Sequence, residues 1–194
     1  RFSGGVILNW LKPKVFFAIT CVLSVLGLLG LFIPSGTVAG ISFFLAGLGF
    51  ANIFPLILKE IPQAKIYVVG SNPTQELRDR STANIVVTGF VDDVRPYAWR
   101  SSVYVVPLRM GSGTRLKVLE ALALKKPIVT TSIGCEGINV TDGETALIAD
   151  DPQTFADATV RLLHDRSLQS RLAENGEQLM RTQYEWSVIG QQMQ

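Results

Sequence analysis

Two kinds of hydrophobic pattern divide this chain. Residues 15–33 form an uncharged run of about 19 residues, and after the break Pro34-Ser35-Gly36 residues 37–58 form a second of about 22. At about 1.5 Å rise per residue the first run extends roughly 28 Å as a helix, the thickness of a bilayer core. Gly40 and Gly47 in the second run admit close helix approach. The pattern predicts a transmembrane hairpin, with a buried soluble hairpin as the competing reading. A signal peptide does not fit, because the pair is too long and no cleavage site precedes polar sequence.

From Lys59 the pattern changes. Short apolar runs at 65–69, 85–88, 103–108, 127–131 and 145–149 alternate with helical stretches. They lack strict period-two alternation, so they predict parallel strands covered on both faces. Asp92 or Asp93 can cap a short helix reaching Trp99, and Thr141-Asp142-Gly143 reads as a turn. Asp151-Pro152 starts a helix whose apolar positions include Phe155, Ala156, Val160, Leu162 and Leu163. Ser167 is the expected cap of a last helix bearing Leu168, Leu172, Leu179 and Met180, and His164 falls at the preceding helix end with no chemistry assigned. The expected fold class is therefore α/β: a helical hairpin over 1–58, then a Rossmann-like parallel sheet with flanking helices over 59–194.

Charge sharpens this division. The chain has 194 residues, a formal net charge of +2 and 47% hydrophobic content. Up to Leu58 there are three basic residues (Arg1, Lys12 and Lys14) and no acidic one, so the remainder is close to neutral. The basic excess belongs to the apolar part, and nucleic acid is not an indicated partner. Lys12 and Lys14 precede the first apolar run and Lys59 follows the second, which places both ends on the cytoplasmic side of an inner membrane. Cys21 and Cys135 have neither disulfide-framework nor metal-ligand spacing, so two reduced thiols and no metal site are expected. The first residue is Arg1, consistent with a fragment or a processed product.

The candidate chemistry lies in residues 107–127, PLRMGSGTRLKVLEALALKKP. Gly111 and Gly113 let a loop turn tightly and approach a ligand, with Ser112 between them. The loop leads into a helix expected from about Thr114, whose first turn and dipole favour an anion. Arg115 and Lys117 add positive charge suited to two phosphates, and Glu120 lies about one and a half turns further along, within reach of a ribose diol. Each feature also has a plain reading: a strand-to-helix loop, two solvated cations, a surface carboxylate.

The order of motifs adds to this. IPQAKIYVVGSNP, NIVVTGFVDDVRPY, VYVVPLRMGSGTRLKVLEALALKKPIVTTSIGCEG, DGETALIADDPQTFADATVRLL and a final YEW together resemble the family 4 glycosyltransferases. Within that group they are most similar to the exosortase-associated sugar transferases. The resemblance covers 52–194 and implies the C-terminal, nucleotide-sugar-binding domain of a GT-B fold, a retaining transfer, and a role in envelope or exopolysaccharide synthesis. It places Glu120 on the donor ribose and the 111–114 loop (Gly111, Ser112, Gly113, Thr114) on the diphosphate, with Arg115 and Lys117 as helpers. Gly70 lines the donor cleft and Phe90-Val91 holds the nucleobase. The donor substrate is a nucleotide-diphosphate sugar, the acceptor a glycan or lipid-linked glycan, and no cofactor or metal is implied. Many members carry a second glutamate eight positions before the ribose-binding one, where this chain has Ser112. That departure leaves the donor sugar open.

Residues 1–58 resemble something else. RFSGGVILNWLKPK followed by two apolar runs ending GLGFANIFPLIL is similar to a stretch of a major facilitator sugar permease of the fucose or glucose/galactose type. The octapeptide ANIFPLIL fits both patterns, so a chimera joined within it is one expectation, and a sugar-transporter fragment with an unrelated tail is the alternative function. The resemblance also puts the acceptor-binding domain, and the first strand and helix of the donor domain, outside residues 59–194. Binding without turnover is then expected of these residues, with residues 15–58 meeting the lipid bilayer.

Overall fold

The computed structural model describes residues 53–110 and 113–192. From Phe54 onward they belong to one compact unit, Phe54–Gln194. The apolar run at 15–33 and most of that at 37–58 lie outside the described residues. The end of the second run is described: it forms α1 (Ile53–Glu60), an eight-residue helix that continues past Leu58. Among the described residues no helix is long and apolar enough to cross a membrane.

After α1 the chain alternates strand and helix. In order come β1 (Ile66–Val69), α2 (Gln75–Asp79), β2 (Ile85–Gly89), α3 (Arg95–Arg100), β3 (Tyr104–Val106), α4 (Leu116–Ala123), β4 (Ile128–Thr130), β5 (Leu147–Ile148), α5 (Pro152–His164), α6 (Arg166–Leu179), a π-helical turn (Met180–Tyr184) and α7 (Trp186–Gln192). All pairings between these strands are parallel, as the short apolar runs predict. They form two ladders, β1-β2 and β3-β4-β5, that are not hydrogen-bonded to one another. In the doubly wound strand order 3-2-1-4-5-6, the interruption falls at the position of the first strand. That is the strand the resemblance puts outside residues 59–194.

Local chemistry explains the element ends. Asp151 caps α5 as expected, accepting the Gln153 and Thr154 amides, with Pro152 in the first turn. The cap of α6 is Asp165, not Ser167: its carboxylate accepts the Leu168 N–H at 2.9 Å, and Ser167 falls inside the first turn. For α3 the N-cap is Val94, without a side-chain cap bond, rather than Asp92 or Asp93; Asp93 accepts the Arg95 N–H at 2.9 Å from one residue earlier, and Pro96 stands in the first turn. Helix α2 was not foreseen, because five residues carry too little periodicity; Thr74 caps it. In the expected 141–143 turn, Gly143 adopts φ 74°, and Asp142 accepts the Ile148 N–H at 2.8 Å.

The core lies around β4. Ile128, Val129 and Thr130 are all fully buried, as a strand covered on both faces requires. Helix α4 turns Val118, Ala121 and Leu122 inward at i, i+3, i+4 spacing, where they join Val106, Ile128, Ile138, Ala146 and Leu179. Helix α4 ends in a Schellman turn, with Lys125 N–H bonding to Leu122 O (3.0 Å) and Lys126 N–H to Ala121 O (2.9 Å). Lys125 takes the left-handed conformation there, φ 53°, which glycine usually holds. Gly176 lets α6 close onto α4: a Cβ at this position would stand 2.7 Å from Leu122 Cδ2.

Candidate functional site

The order of strands sets where a ligand can bind. Within each ladder the strands follow chain order, β1 to β2 and β3 through β4 to β5. In the doubly wound order 3-2-1-4-5-6, ligands occupy the crevice beyond the carboxyl ends of the strands where the order reverses, a position that would adjoin β3. Residues 107–115 leave β3 at that end and lead into α4.

Helix α4 begins at Leu116, two residues later than expected, with Arg115 at the N-cap position and no side-chain cap bond. Its first-turn bonds run from Leu116 N–H to Thr114 O (2.9 Å) and from Val118 N–H to Arg115 O (2.9 Å). Gly113 has φ +89° and open space where a Cβ would stand, so the conformation rather than crowding calls for glycine. Gly111 and Ser112 lie outside the described residues. In the same loop Arg109 is half-buried, and burial lowers its pKa.

Two cavities flank α4. The larger, about 620 Å³, brings Thr114 and Glu120 together with Leu116, Leu119 and Ala123 of the helix, Gly137 and Ile138, and the C-terminal residues Met180, Tyr184, Trp186 and Ile189. Its volume is that of a small-molecule site, largely apolar with a few polar groups. The smaller, about 220 Å³, runs along Val105, Val106, Pro107 and Leu108 at the end of β3 and is completed by Lys117. Thus Glu120 and Lys117, three residues apart and neighbours on the helix surface, line different cavities. Lys117 is exposed, Glu120 half-buried.

Arg115 differs from Lys117. Its side chain is 5% exposed and its Nη2 donates to Glu136 Oε2 at 3.0 Å, while Glu136 is 73% exposed. Glu120 is felt by two neighbours. Burial pushes the Tyr104 phenol up, and the Glu120 charge adds to the rise. Arg95 is held above its ordinary value by its hydrogen bond to Asp93 first, and to a smaller extent by Glu120. Helix α3 is therefore close to the Glu120 side of α4. Lys126 strengthens that approach by donating to Trp99 O (2.9 Å) and Ser101 O (3.0 Å).

The remaining expected residues lie at strand ends outside both cavities. Gly70 follows β1 and donates its N–H to Gly89 O at 3.3 Å. Phe90 follows β2, 74% exposed, and Val91 beside it is half-buried. Sequence reasoning missed Glu136 and the C-terminal wall of the larger cavity. The wall depends on the π-helical turn, which carries Met180 and Tyr184 round to α4. Tyr184 Oη accepts the Asn139 N–H at 2.8 Å, and Asn139 Nδ2 donates to Gln183 Oε1 at 2.8 Å. The final YEW was the available signal. Among the described residues no cluster of His, Cys, Asp or Glu is arranged to hold a metal ion.

Known proteins bear on this arrangement. The family described as "Glycosyl transferases group 1" matches residues 46–165. The capsular polysaccharide biosynthesis glycosyltransferase CapM of Staphylococcus aureus is 26% identical over 151 residues, covering 73% of this chain and 39% of that protein. An alpha-D-kanosaminyltransferase of Streptomyces kanamyceticus is 31% identical over 123 residues, 60% of this chain and 30% of that one. The chain thus spans well under half the length of the curated relatives it matches. Among solved structures, the C-terminal domain of the group 1 glycosyl transferase LpcC from Francisella tularensis superposes with a TM-score of 0.60. It is 23% identical, over 71% of this chain and 80% of that domain, a likeness of fold. The family match begins inside the second apolar run and takes in ANIFPLIL, α4 and both cavities' helix face. It covers well over half of the sequence, and on that ground the chain belongs to the group 1 glycosyl transferases.

Proposed function

We propose that residues 53–192 bind the donor of a retaining, family 4-like glycosyltransferase: a nucleoside-diphosphate sugar, whose glycosyl group passes to a glycan or lipid-linked glycan of the cell envelope. The observation that carries this reading is that Glu120 and Lys117, neighbours on α4, line two cavities, the second of them at the carboxyl end of β3. A carboxylate at the wall of a largely apolar cavity suits the two hydroxyl donors of a ribose. An exposed cation and a glycine loop at a helix start suit the diphosphate. Phe90 offers an exposed aromatic face to a nucleobase. Catalysis in this chemistry is positioning plus stabilisation of the departing diphosphate. The residues here supply the second function and leave the acceptor to another domain.

Isothermal titration of the full chain with UDP, GDP and ADP tests the proposal. One of them should bind, and Glu120→Ala should weaken that binding about 10- to 100-fold, the usual worth of hydrogen bonds to a charged group. A folded chain with no affinity for any nucleoside diphosphate would sink the reading.

A further inference from the structure

The loop expected to meet the diphosphate is tied down at both ends by one other segment. At its start, Thr131 donates its hydroxyl to Leu108 O and its N–H to Val106 O (3.4 Å for the latter). At its end, Arg115 donates to Glu136 Oε2 at 3.0 Å. Both ties come from residues 131–136, immediately after β4. That segment is itself fixed. Gly134 N–H bonds to Thr131 Oγ1 (2.9 Å), and Ser132 donates N–H (2.8 Å) and Oγ (2.9 Å) to Asp150 Oδ1. It is also close-packed, since a Cβ on Gly134 would come within 2.4 Å of Thr130 Oγ1 and 3.0 Å of Val106 O.

We infer that Arg115 and Glu136 are positioning residues: their ion pair holds the start of α4, with Gly113 and Thr114 before it, in the arrangement that receives the donor diphosphate, and Arg115 is not itself a phosphate ligand. The two cations of the loop-helix junction divide the work. Lys117 is exposed and lines the cavity at the end of β3. The Arg115 side chain is nineteen-twentieths buried and engaged by a carboxylate. Arg115 lines neither cavity, and turning its enclosed guanidinium out to a phosphate would give up the Glu136 contact. Held in place, the same pair fixes Arg115 as N-cap residue of α4, where its carbonyl accepts the Val118 N–H at 2.9 Å. The first helical turn and the Gly113–Thr114 backbone are then aimed before any ligand arrives, which spares the ordering cost on binding.

This inference rests on the donor-site proposal, and a double-mutant cycle separates the two. UDP, GDP and ADP are titrated into the wild-type chain, Glu136→Gln, Arg115→Gln and the double variant, well below each variant's unfolding temperature. Glu136 is largely exposed, so Glu136→Gln should keep the fold even if Arg115→Gln does not. We expect Glu136→Gln to weaken nucleotide binding about tenfold, and the double variant to bind no worse than Arg115→Gln, the signature of coupled groups. A purely structural pair would lower the unfolding temperature and leave affinity unchanged, which overturns the inference. Direct phosphate ligation by Arg115 would leave Glu136→Gln binding as well as wild type or better, which also overturns it. Wild-type affinity with no Arg115–Glu136 coupling sinks the inference alone, whereas a folded wild type that binds none of the three nucleotides sinks the donor-site proposal with it.

Discussion

The two parallel ladders are built from similar residues and differ in how they are covered. Strand β4, flanked by β3 and β5, is inaccessible along its whole length, with Phe155 of α5 and Leu122 of α4 fully enclosed beside it. No residue of β1 is buried, and Tyr67 at its middle is 49% exposed, leaning on Tyr97 of α3 with ring centroids 5.9 Å apart. Sequence hydrophobicity does not separate IYVV from YVV or IVT. What separates them is the number of layers each strand touches. The β3-β4-β5 ladder is thus both the stable part and the part that carries the site, and rigid support under the loop is what a preorganised anion site needs.

The contrast can be broken in four places. Phe155→Ala should cost about 3–5 kcal/mol in denaturant unfolding, the cost of emptying a large buried aromatic site. Gly134→Ala should cost about 1–3 kcal/mol through overpacking against Thr130 and Val106 O, and chemical denaturation would show it as a lower midpoint at unchanged slope. Tyr67→Ala should cost about 0.5–1.5 kcal/mol, the worth of an aromatic pair; a loss equal to that of Phe155→Ala would refute the difference between the ladders. The smallest effect concerns Glu177, which joins α6 to the end of α4 through Lys125 (2.5 Å) and to the π turn through Arg181 (2.8 Å). The hydrogen bond from Lys125, then that from Arg181, lowers the Glu177 pKa below its ordinary 4.5. A depressed carboxylate contributes stability that is complete above the unfolded value and lost as pH falls through the folded one. Thermal melts from pH 6 to 3 should therefore fall slightly less for Glu177→Gln than for wild type.

Much of the α/β part was legible because it obeys local rules. Short apolar runs gave the strands, two of them closed by Gly70 and Gly89, and Asp151-Pro152 gave the start of α5 because carboxylate and proline act within one turn. The start of α6 was misplaced because Asp165 and Ser167 are both good caps, and which one accepts the helix amide depends on where the backbone leaves α5. The end of α4 carried no glycine to announce it, since Lys125 takes the left-handed position while its side chain pairs with Glu177. In the site, Glu120, Lys117 and Gly113 could be named from spacing. Their separation onto two cavities, and the pairing of Arg115 with Glu136 across 21 positions, are tertiary facts that no local pattern encodes. The π turn was equally hidden, because one register change inside a helix leaves no mark on composition.

The interruption between the ladders has a consequence for handling the protein. Ile66 and Tyr104 direct their N–H groups to Asn84 O and Pro127 O, into their own ladders, at 2.8 and 2.9 Å. By the alternation of a parallel strand, the peptide groups of Tyr67 and Val105 then point to the opposite edges. Among the described residues those two edges have no partner strand. Exposed edges of this kind are templates for strand addition between chains. A polypeptide cut back to these residues should self-associate with rising concentration, and a lysine at Val105 should keep it dispersed.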